Sequence, residues 1–292
     1  MNISNTIFKK VLSTQGVFVE KLSRISAEKT TGDFLSFEKP HEQIKILERF
    51  SGPLSGKKLL EIGSGLGIFN LVSRTEYGTD SWGVEPSGEG FGDSFEISHE
   101  VLKENDLSTD HILNAKGEHL PFENDSFDIV FSTNVLEHVE SPEEVIGEAI
   151  RVCKKGGLIQ LVAPNYGSFF DGHYACFYVP YQPKWLWKMY LKYILGRPTE
   201  FVDELRTEIN YFSVRRWLKP HVNDGTISIV DMGEEVFRDR MNSIDFSAWA
   251  GLGKVKNWLL LVHKLRITKL ITWLLVVTKS YSPLIITLRK NI

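Results

Sequence analysis

The sequence predicts an α/β fold: a doubly wound, mostly parallel sheet of about seven strands. Three observations carry this expectation. Short apolar runs alternate with stretches of helical spacing from residue 57 to residue 163, the pattern of parallel strands joined by crossover helices. A glycine-rich segment, Glu61-Ile62-Gly63-Ser64-Gly65-Leu66-Gly67, lies at the first strand-to-helix junction. An acidic residue, Glu85, closes the second apolar run, about twenty residues further on, where such folds hold a ribose.

In chain order, residues 1–56 read as a polar N-terminal helical segment. In its last part Ile44, Leu47 and Phe50 recur at helical spacing, and Ser51, Gly52, Pro53 and Gly56 break it. Lys57 to Ile62 is the first strand, and Leu66 to Tyr77 is the helix after the glycine loop. Ser81 to Glu85 is the second strand, ended by Pro86; Ser87 to Asn105 is expected as helix and His111 to Ala115 as a short third strand. Phe127 to Ser132 is a strongly apolar fourth strand. The helix Ser141 to Lys154 has a clear start, because Ser141 can cap it, Pro142 suits the first turn and Glu144 completes a capping box. Gly156 and Gly157 are expected to end it, and Leu158 to Ala163 is the fifth strand. The rhythm then changes. Residues 165–210 are rich in Tyr, Phe, Trp and Pro and read as a cap insertion, followed by a helix from near Ser213. Thr226 to Val230 and Leu284 to Leu288 complete the strands, and an insertion over about 231–282 separates them.

Composition narrows the function. With 292 residues, 42% apolar and 24% charged, the chain is an ordinary globular protein, and its net charge of −3 leaves no electrostatic footprint for nucleic acid. The charge is uneven. From Gly251 to Ile292 there are eight Lys or Arg and no Asp or Glu, so the rest of the chain is strongly acidic. A basic, apolar tail makes an anionic membrane surface an expected partner of 251–292. The apolar segment Asn257 to Thr278 is interrupted by His263, Lys264, Arg266 and Lys269, too often for a transmembrane helix. Those basic residues do not gather on one helical face either, so a core helix, a monotopic anchor and a partner-binding element are all compatible with it. Cys153 and Cys176 have no metal-ligand spacing and form no disulfide framework, so no metal is expected and a cytoplasmic setting is. Met1 to Phe18 contain nothing like a signal-peptide cleavage site.

Glycines in the loop let the backbone turn tightly and approach a ligand without a Cβ in the way, and the amides of the following helix face that ligand. A carboxylate at Glu85 can accept two hydrogen bonds from a vicinal diol. A nicotinamide-binding loop usually has an apolar residue where this chain has Glu61, and a last glycine where it has Ile68. An acid before the loop suits a sulfonium and an ammonium better than a pyrophosphate.

Together with Gly117-Glu118-His119-Leu120-Pro121-Phe122, Phe127-Asp128-Ile129-Val130, Asn134-Val135-Leu136-Glu137-His138-Val139 and Arg151-Val152-Cys153-Lys154-Lys155-Gly156-Gly157, the segment Lys58 to Asn165 resembles the class I S-adenosylmethionine-dependent methyltransferases, in their small-molecule branch. The match covers a little over a third of the chain. The resemblance implies a Rossmann-like sheet of seven mostly parallel strands with an antiparallel last strand, a methyltransferase domain over 57–292, S-adenosyl-L-methionine as cofactor and S-adenosyl-L-homocysteine as product. It implies that Gly63, Ser64, Gly65 and Gly67 wrap the methionine part and that Glu61 holds its amino group. Glu85 would take the ribose hydroxyls, Gly117 and Glu118 would flank the adenine, and Asn134 would help place the methionine end. One departure stands out: many relatives have Asp near position 116, and this chain has Lys116.

The methyl of a sulfonium is already activated, so the protein must chiefly align the nucleophile, and a base helps only a nucleophile that carries a proton of high pKa. His173, in Phe170-Asp171-Gly172-His173-Tyr174 with Asp171 to orient it, and His138, just past the fourth strand, are the candidate catalytic groups; His119 is expected to be exposed. For each, a hydrogen-bonded structural histidine is the competing reading. The aromatics from Phe169 to Tyr190 are expected to form an acceptor lid or a helical subdomain's own core. Ala163-Pro164-Asn165-Tyr166 resembles the Pro-Tyr motif of nucleic-acid amino-methyltransferases but follows the fifth strand instead of the fourth. A small-molecule or lipid- or glycan-linked acceptor, probed first for O-methylation, is the expectation. The rivals are a non-catalytic binding module of the same fold and an NAD-dependent oxidoreductase.

Overall fold

A computed structural model describes residues 1–88, 93–242, 260–264 and 266–292. Four helices open the chain: α1 (Asn5–Val11), α2 (Val17–Ser23), α3 (Ala27–Phe34) and α4 (Glu38–Ser51), with a π-helical turn at Leu12–Gly16 between the first two. Next come β1 (Lys58–Ile62), α5 (Ile68–Tyr77), β2 (Asp80–Val84), α6 (Ser94–Glu104), β3 (Ile112–Leu113), β4 (Phe127–Thr133), α7 (Pro142–Val152) and β5 (Cys153–Ala163). The cap contributes the hairpin β6 (Phe170–Asp171) and β7 (Cys176–Phe177), then α8 (Lys184–Met189) and α9 (Phe201–Glu204). The chain closes with α10 (Tyr211–Asn223), β8 (Ile227–Asp231), α11 (Glu234–Asn242), α12 (Thr268–Val277) and β9 (Leu284–Lys290).

The seven-stranded sheet has the order β3-β2-β1-β4-β5-β9-β8. All pairs from β3 to β5 are parallel, and β9 runs antiparallel to both of its neighbours. The last strand is antiparallel, as the resemblance implied. Because the order reverses between β1 and β4, the crevice beyond their carboxyl ends is the place where such sheets bind ligands.

Alternation along the strands splits the interior into two layers. Leu59, Ile129 and Phe131 face one side and pack with Ile7, Val11, Ile44 and Leu47 of the N-terminal helices and with Leu71 and Val101. Leu60, Val130, Ile159 and Leu161 face the other side and pack with Val145, Ile146 and Ala149 of α7 and with Tyr166, Trp187 and Leu218. The N-terminal helices are therefore amphipathic covers of one sheet face and not polar throughout.

Local chemistry corrects several boundaries. The helix expected from Ser87 starts at Ser94; Ser87 and Gly88 form a turn, and Ser87 N–H donates to the Asn114 side chain at 3.0 Å. The third strand is only Ile112–Leu113, after a 3-10 turn at Thr109–His111, and Asn114 follows it as part of the turn that receives Ser87. Gly156 and Gly157 do not end α7. The helix stops where Cys153 turns extended, and the glycines lie within β5, where Gly156 at φ 76° carries an irregularity opposite Phe127 and Ile129. The start of α7 is as expected in its cap and first turn, where Ser141 Oγ accepts from Glu144 N–H and Pro142 follows, but Ser141 N–H donates to Glu118 Oε1 and not to Glu144, so the expected capping box is left half made.

The apolar segment Asn257 to Thr278 lies partly outside the described residues. Its last part is α12, which turns Thr268, Thr272 and Val276 inward and leaves Leu270, Trp273, Leu274 and Val277 exposed. No helix among the described residues is long and apolar enough to cross a membrane.

Candidate active site

The glycine loop leaves β1 at Ile62 and is tied to the end of β2, because Gly63 N–H and Ser64 N–H both donate to Val84 O at 2.9 and 3.0 Å. Gly63, Gly65 and Gly67 all have positive φ (73°, 50° and 75°). At Gly63 a Cβ would stand 2.2 Å from Val135 Cγ2, so this glycine lets the loop close on the segment that follows β4. At Gly65 a Cβ would meet nothing within 4 Å. This is the open face of the loop, and its N–H donates to Glu85 Oε2 at 2.9 Å. Gly67, in the left-handed region, caps α5.

Two carboxyls face this loop. Burial pushes Glu85 up to about 7, an effect that the Gly65 N–H partly offsets. Glu61 is buried at the end of β1, and burial, then the charge of Glu85, pushes its carboxyl well above the usual range. Glu61 Oε2 and Ser64 Oγ are buried with no hydrogen-bond partner among the described residues. A buried polar atom without a partner is costly and calls for a ligand or water. The loop thus holds two buried carboxyls and unpartnered polar atoms beside open space, an arrangement in which a cationic ligand that also carries hydroxyl donors would favour their ionised forms.

The loop after β3 comes to the same edge. Gly117 is buried, with a Cβ position only 2.9 Å from Ile62 Cγ2. Glu118 is occupied elsewhere: its Oε1 accepts from Glu140 N–H at 2.9 Å and Ser141 N–H at 3.4 Å, so it organises the entry to α7. Lys116 is exposed and lies 3.5 Å from Glu140, and His119 is exposed. Asn134 follows β4 at φ 54°, with its N–H bonded to Val162 O and its side chain open to solvent.

A second polar cluster forms beyond β4 and β5. His138 Nε2 and His173 Nε2 lie 3.3 Å apart, and Glu137 Oε1 is 3.9 Å from His173 Nε2. Asp171 Oδ2 is 3.4 Å from His173 Nδ1, and its Oδ1 accepts from Tyr174 N–H. Glu137 is fully buried, and neither of its oxygens has a hydrogen-bond partner among the described residues. Burial would lower the pKa of His173, but the hydrogen bond to Asp171 and the charges of Asp171 and Glu137 raise it overall. Phe201 packs against both imidazoles at 5.8 and 5.6 Å, and Phe18 of α2 packs against Phe201 at 5.4 Å. Arg206 pins the same segment, donating from its backbone to Glu137 O and from Nε to Val139 O.

The structure therefore brings Glu61, Gly63, Ser64, Gly65 and Glu85 into one loop site and His138 and His173 into one contact. In the sequence, Glu137 figures only within a quoted motif, and Phe201 and Arg206 are not singled out. The adjacent acid and histidine just past a strand were a signal for Glu137; nothing in the sequence signalled the other two. In the cap, Tyr174, Tyr178 and Trp187 are buried as its own core, whereas Phe169, Phe177, Tyr181 and Trp185 are exposed.

Residues 60–161 match the family model described as a methyltransferase domain. An uncharacterised protein of Mycobacterium tuberculosis is 33% identical over 119 residues, which is 41% of this chain and 40% of that protein. An uncharacterised methyltransferase of Mycolicibacterium paratuberculosis is 35% identical over 119 residues, 41% of this chain and 44% of the relative. The matched stretch thus spans less than half the length of these relatives. Among solved structures, phosphoethanolamine N-methyltransferase 2 of Haemonchus contortus, in complex with S-adenosyl-L-methionine, superposes with a TM-score of 0.51 at 17% identity, covering 86% of this chain and 53% of that one. The cyclase SpnF superposes with a TM-score of 0.51 at 15% identity, covering 98% and 94%. Likeness at such identity shows the fold alone.

Proposed function

We propose that this chain, which carries a class I S-adenosylmethionine-dependent methyltransferase domain over residues 60–161, transfers the methyl group of that cofactor to a hydroxyl oxygen of a small-molecule or lipid-linked acceptor. The observation that carries the reading is the bond from Gly65 N–H to Glu85, set beside the unpartnered Glu61 Oε2 and Ser64 Oγ. These groups fit the cofactor. Glu85 would accept from ribose hydroxyls and Glu61 from an ammonium, directly or through water, and the bare Gly65 leaves room beside them. S-adenosylmethionine supplies a methyl on a sulfonium sulfur and leaves as the neutral thioether S-adenosylhomocysteine. The chain's own residues must hold the acceptor at the carboxyl edge of the sheet, exclude water and receive the hydroxyl proton. His173, oriented by Asp171 and beside His138, is the group in reach for that proton. Phe201 packs against both imidazoles at the same edge.

The exposed stripe of α12 supports a lipid-linked acceptor. Leu270, Trp273, Leu274 and Val277 face outward, with exposed Lys264, Arg266 and Lys269 nearby. Apolar and basic groups side by side match an anionic bilayer interface. The helix runs back to the site edge, because Asn165 Nδ2, just past β5, donates to Lys279 O and Tyr281 O.

Calorimetric titration with S-adenosylhomocysteine, beside NAD and a Glu85→Ala variant, tests the cofactor. Micromolar binding of the homocysteine ligand alone, weakened about ten- to a hundredfold by the variant through lost charged hydrogen bonds, is expected. Binding of NAD instead, or of neither ligand, overturns the reading. Methyl incorporation from labelled cofactor into extracted lipids and small metabolites then separates an enzyme from a binding module.

A further inference from the structure

The cluster beyond β4 and β5 has the composition and spacing of a metal site. Each of Glu137, His138 and His173 offers one ligand atom, and these atoms all lie within 4.8 Å of one another. Two histidine nitrogens on a tetrahedral zinc, each at about 2.0–2.1 Å, stand about 3.4 Å apart; the two Nε2 atoms here are separated by 3.3 Å. Two neutral Nε2 acceptors facing each other at that distance repel unless a proton or a cation lies between them.

Glu137 is the independent observation. It is fully buried, its Oε1 points at His173, and both carboxylate oxygens lack a hydrogen bond among the described residues. Buried carboxylates are normally paired or bound to a metal. Asp171 completes the pattern: its Oδ2 faces His173 Nδ1, and a carboxylate there fixes the tautomer that leaves Nε2 free as a ligand. Asp171 is itself held by Tyr174 N–H, and the Glu137 segment by Arg206, so the groups are pre-arranged by bonds outside the cluster.

We propose that Glu137, His138 and His173 bind one divalent transition-metal ion of the zinc type, with Asp171 orienting His173 from behind. Two imidazoles and one carboxylate leave at least one coordination position open. Its place past the ends of β4 and β5 makes that position a seat for an acceptor oxygen. This rests on the methyl-transfer reading for its role but not for its chemistry, since the ligand set stands on its own geometry. With its Nε2 on the ion, His173 would hold the acceptor in place through the metal and would no longer take the hydroxyl proton, which the ion, by lowering the pKa of a bound hydroxyl, would let pass to solvent.

The test is titration of the full chain, stripped with chelator, with Zn²⁺ by calorimetry and with Co²⁺ by visible absorption. Glu137→Gln, His173→Asn and the surface-edged His138→Ala are measured in parallel, each checked for an unchanged melting profile. One Zn²⁺ per chain, visible bands for bound Co²⁺, and at least tenfold weaker binding in each folded variant are expected. S-adenosylhomocysteine titrated into the same samples should bind wild type and variants alike. That second readout separates the two readings: no S-adenosylhomocysteine binding in wild type fails the cofactor reading only. Absent or non-stoichiometric Zn²⁺ binding, or binding equal in wild type and all folded variants, overturns the metal site.

Discussion

At the scale of single residues, the loop separates stability from binding. Gly63 and Gly65 both have positive φ, but only Gly63 is packed against a neighbour. Gly63→Ala must push Val135 aside and should destabilise the protein by about 1–3 kcal/mol, the usual cost of overpacking. Gly65→Ala meets no atom of the chain and should cost about 1 kcal/mol of backbone strain, while its methyl intrudes on the ligand's space. Thermal melts and S-adenosylhomocysteine titrations on both variants should therefore give opposite rankings. Glu85 adds a pH dependence. In the free protein its carboxyl titrates near about 7, and only the ionised form accepts two hydroxyl donors. Affinity for S-adenosylhomocysteine should fall about tenfold per pH unit below neutrality and level off above it. Glu85→Gln should flatten that profile; an equally steep one in the variant would assign the titration to another group.

At the scale of elements, α12 runs against the ordinary rule. Its inward face is Thr268, Thr272 and Val276, with Thr272 Oγ1 bonded to Thr268 O, and its outward face is apolar. Folding alone gives no reason to expose Leu270, Trp273, Leu274 and Val277 together, because burying each would contribute about 1.5–3 kcal/mol. Replacing Trp273 and Leu274 with Ser should thus leave the melting temperature within about 1 °C or raise solubility, as surface changes do. Flotation with anionic liposomes should drop sharply in the same variant, and should also drop for wild type when the vesicles are neutral. Flotation unchanged by the substitution would remove α12 from the contact.

For the whole molecule, the acidic groups at the glycine loop set a balance between the free state and the proposed bound state. Glu61 and Glu85 both have folded pKa values above the ordinary carboxylate range. The stability they allow is fully present below the unfolded value, roughly 4.5, and is lost as pH rises through the folded value near about 7 for Glu85. The ligand-free protein should melt lower on the alkaline side of neutrality than on the acidic side, by scanning calorimetry. S-adenosylhomocysteine, which would favour the ionised forms of both carboxyls, should reverse the difference. At a hundredfold excess over its dissociation constant it should add about 2.7 kcal/mol. Packing supports the same loop: Ile7, Val11, Ile44 and Leu47 cover the face of the sheet that carries Leu59 and Ile129, so the loop is built on a core that the N-terminal helices complete.

The sequence by itself determined the wound sheet, its strand count and the position of the glycine loop. These are local statements: a strand's apolar run, a glycine's positive φ and a cap such as Ser141 depend on neighbours in the chain. Glu61, Gly63, Ser64, Gly65 and Glu85 were legible for that reason, since one turn and one adjacent strand assemble them all. Boundaries failed where a side chain from elsewhere intervened, as Asn114 does at Ser87, or where a glycine pair served an irregular strand and not a helix end. Glu118 shows the limit for single residues: its acidity was visible, but its partners at Glu140 and Ser141 lie across a loop. The meeting of Glu137 with His138 and His173, and the walls that Phe201 and Arg206 build around them, join segments more than thirty residues apart, as in the pairing of His138 with His173. Only the tertiary structure decided that these groups meet, because their distance depends on how the cap folds over β4 and β5 and not on any pattern along the chain. It also decided which way α12 turns its apolar face, since a periodicity states that two faces differ but not which one the core receives.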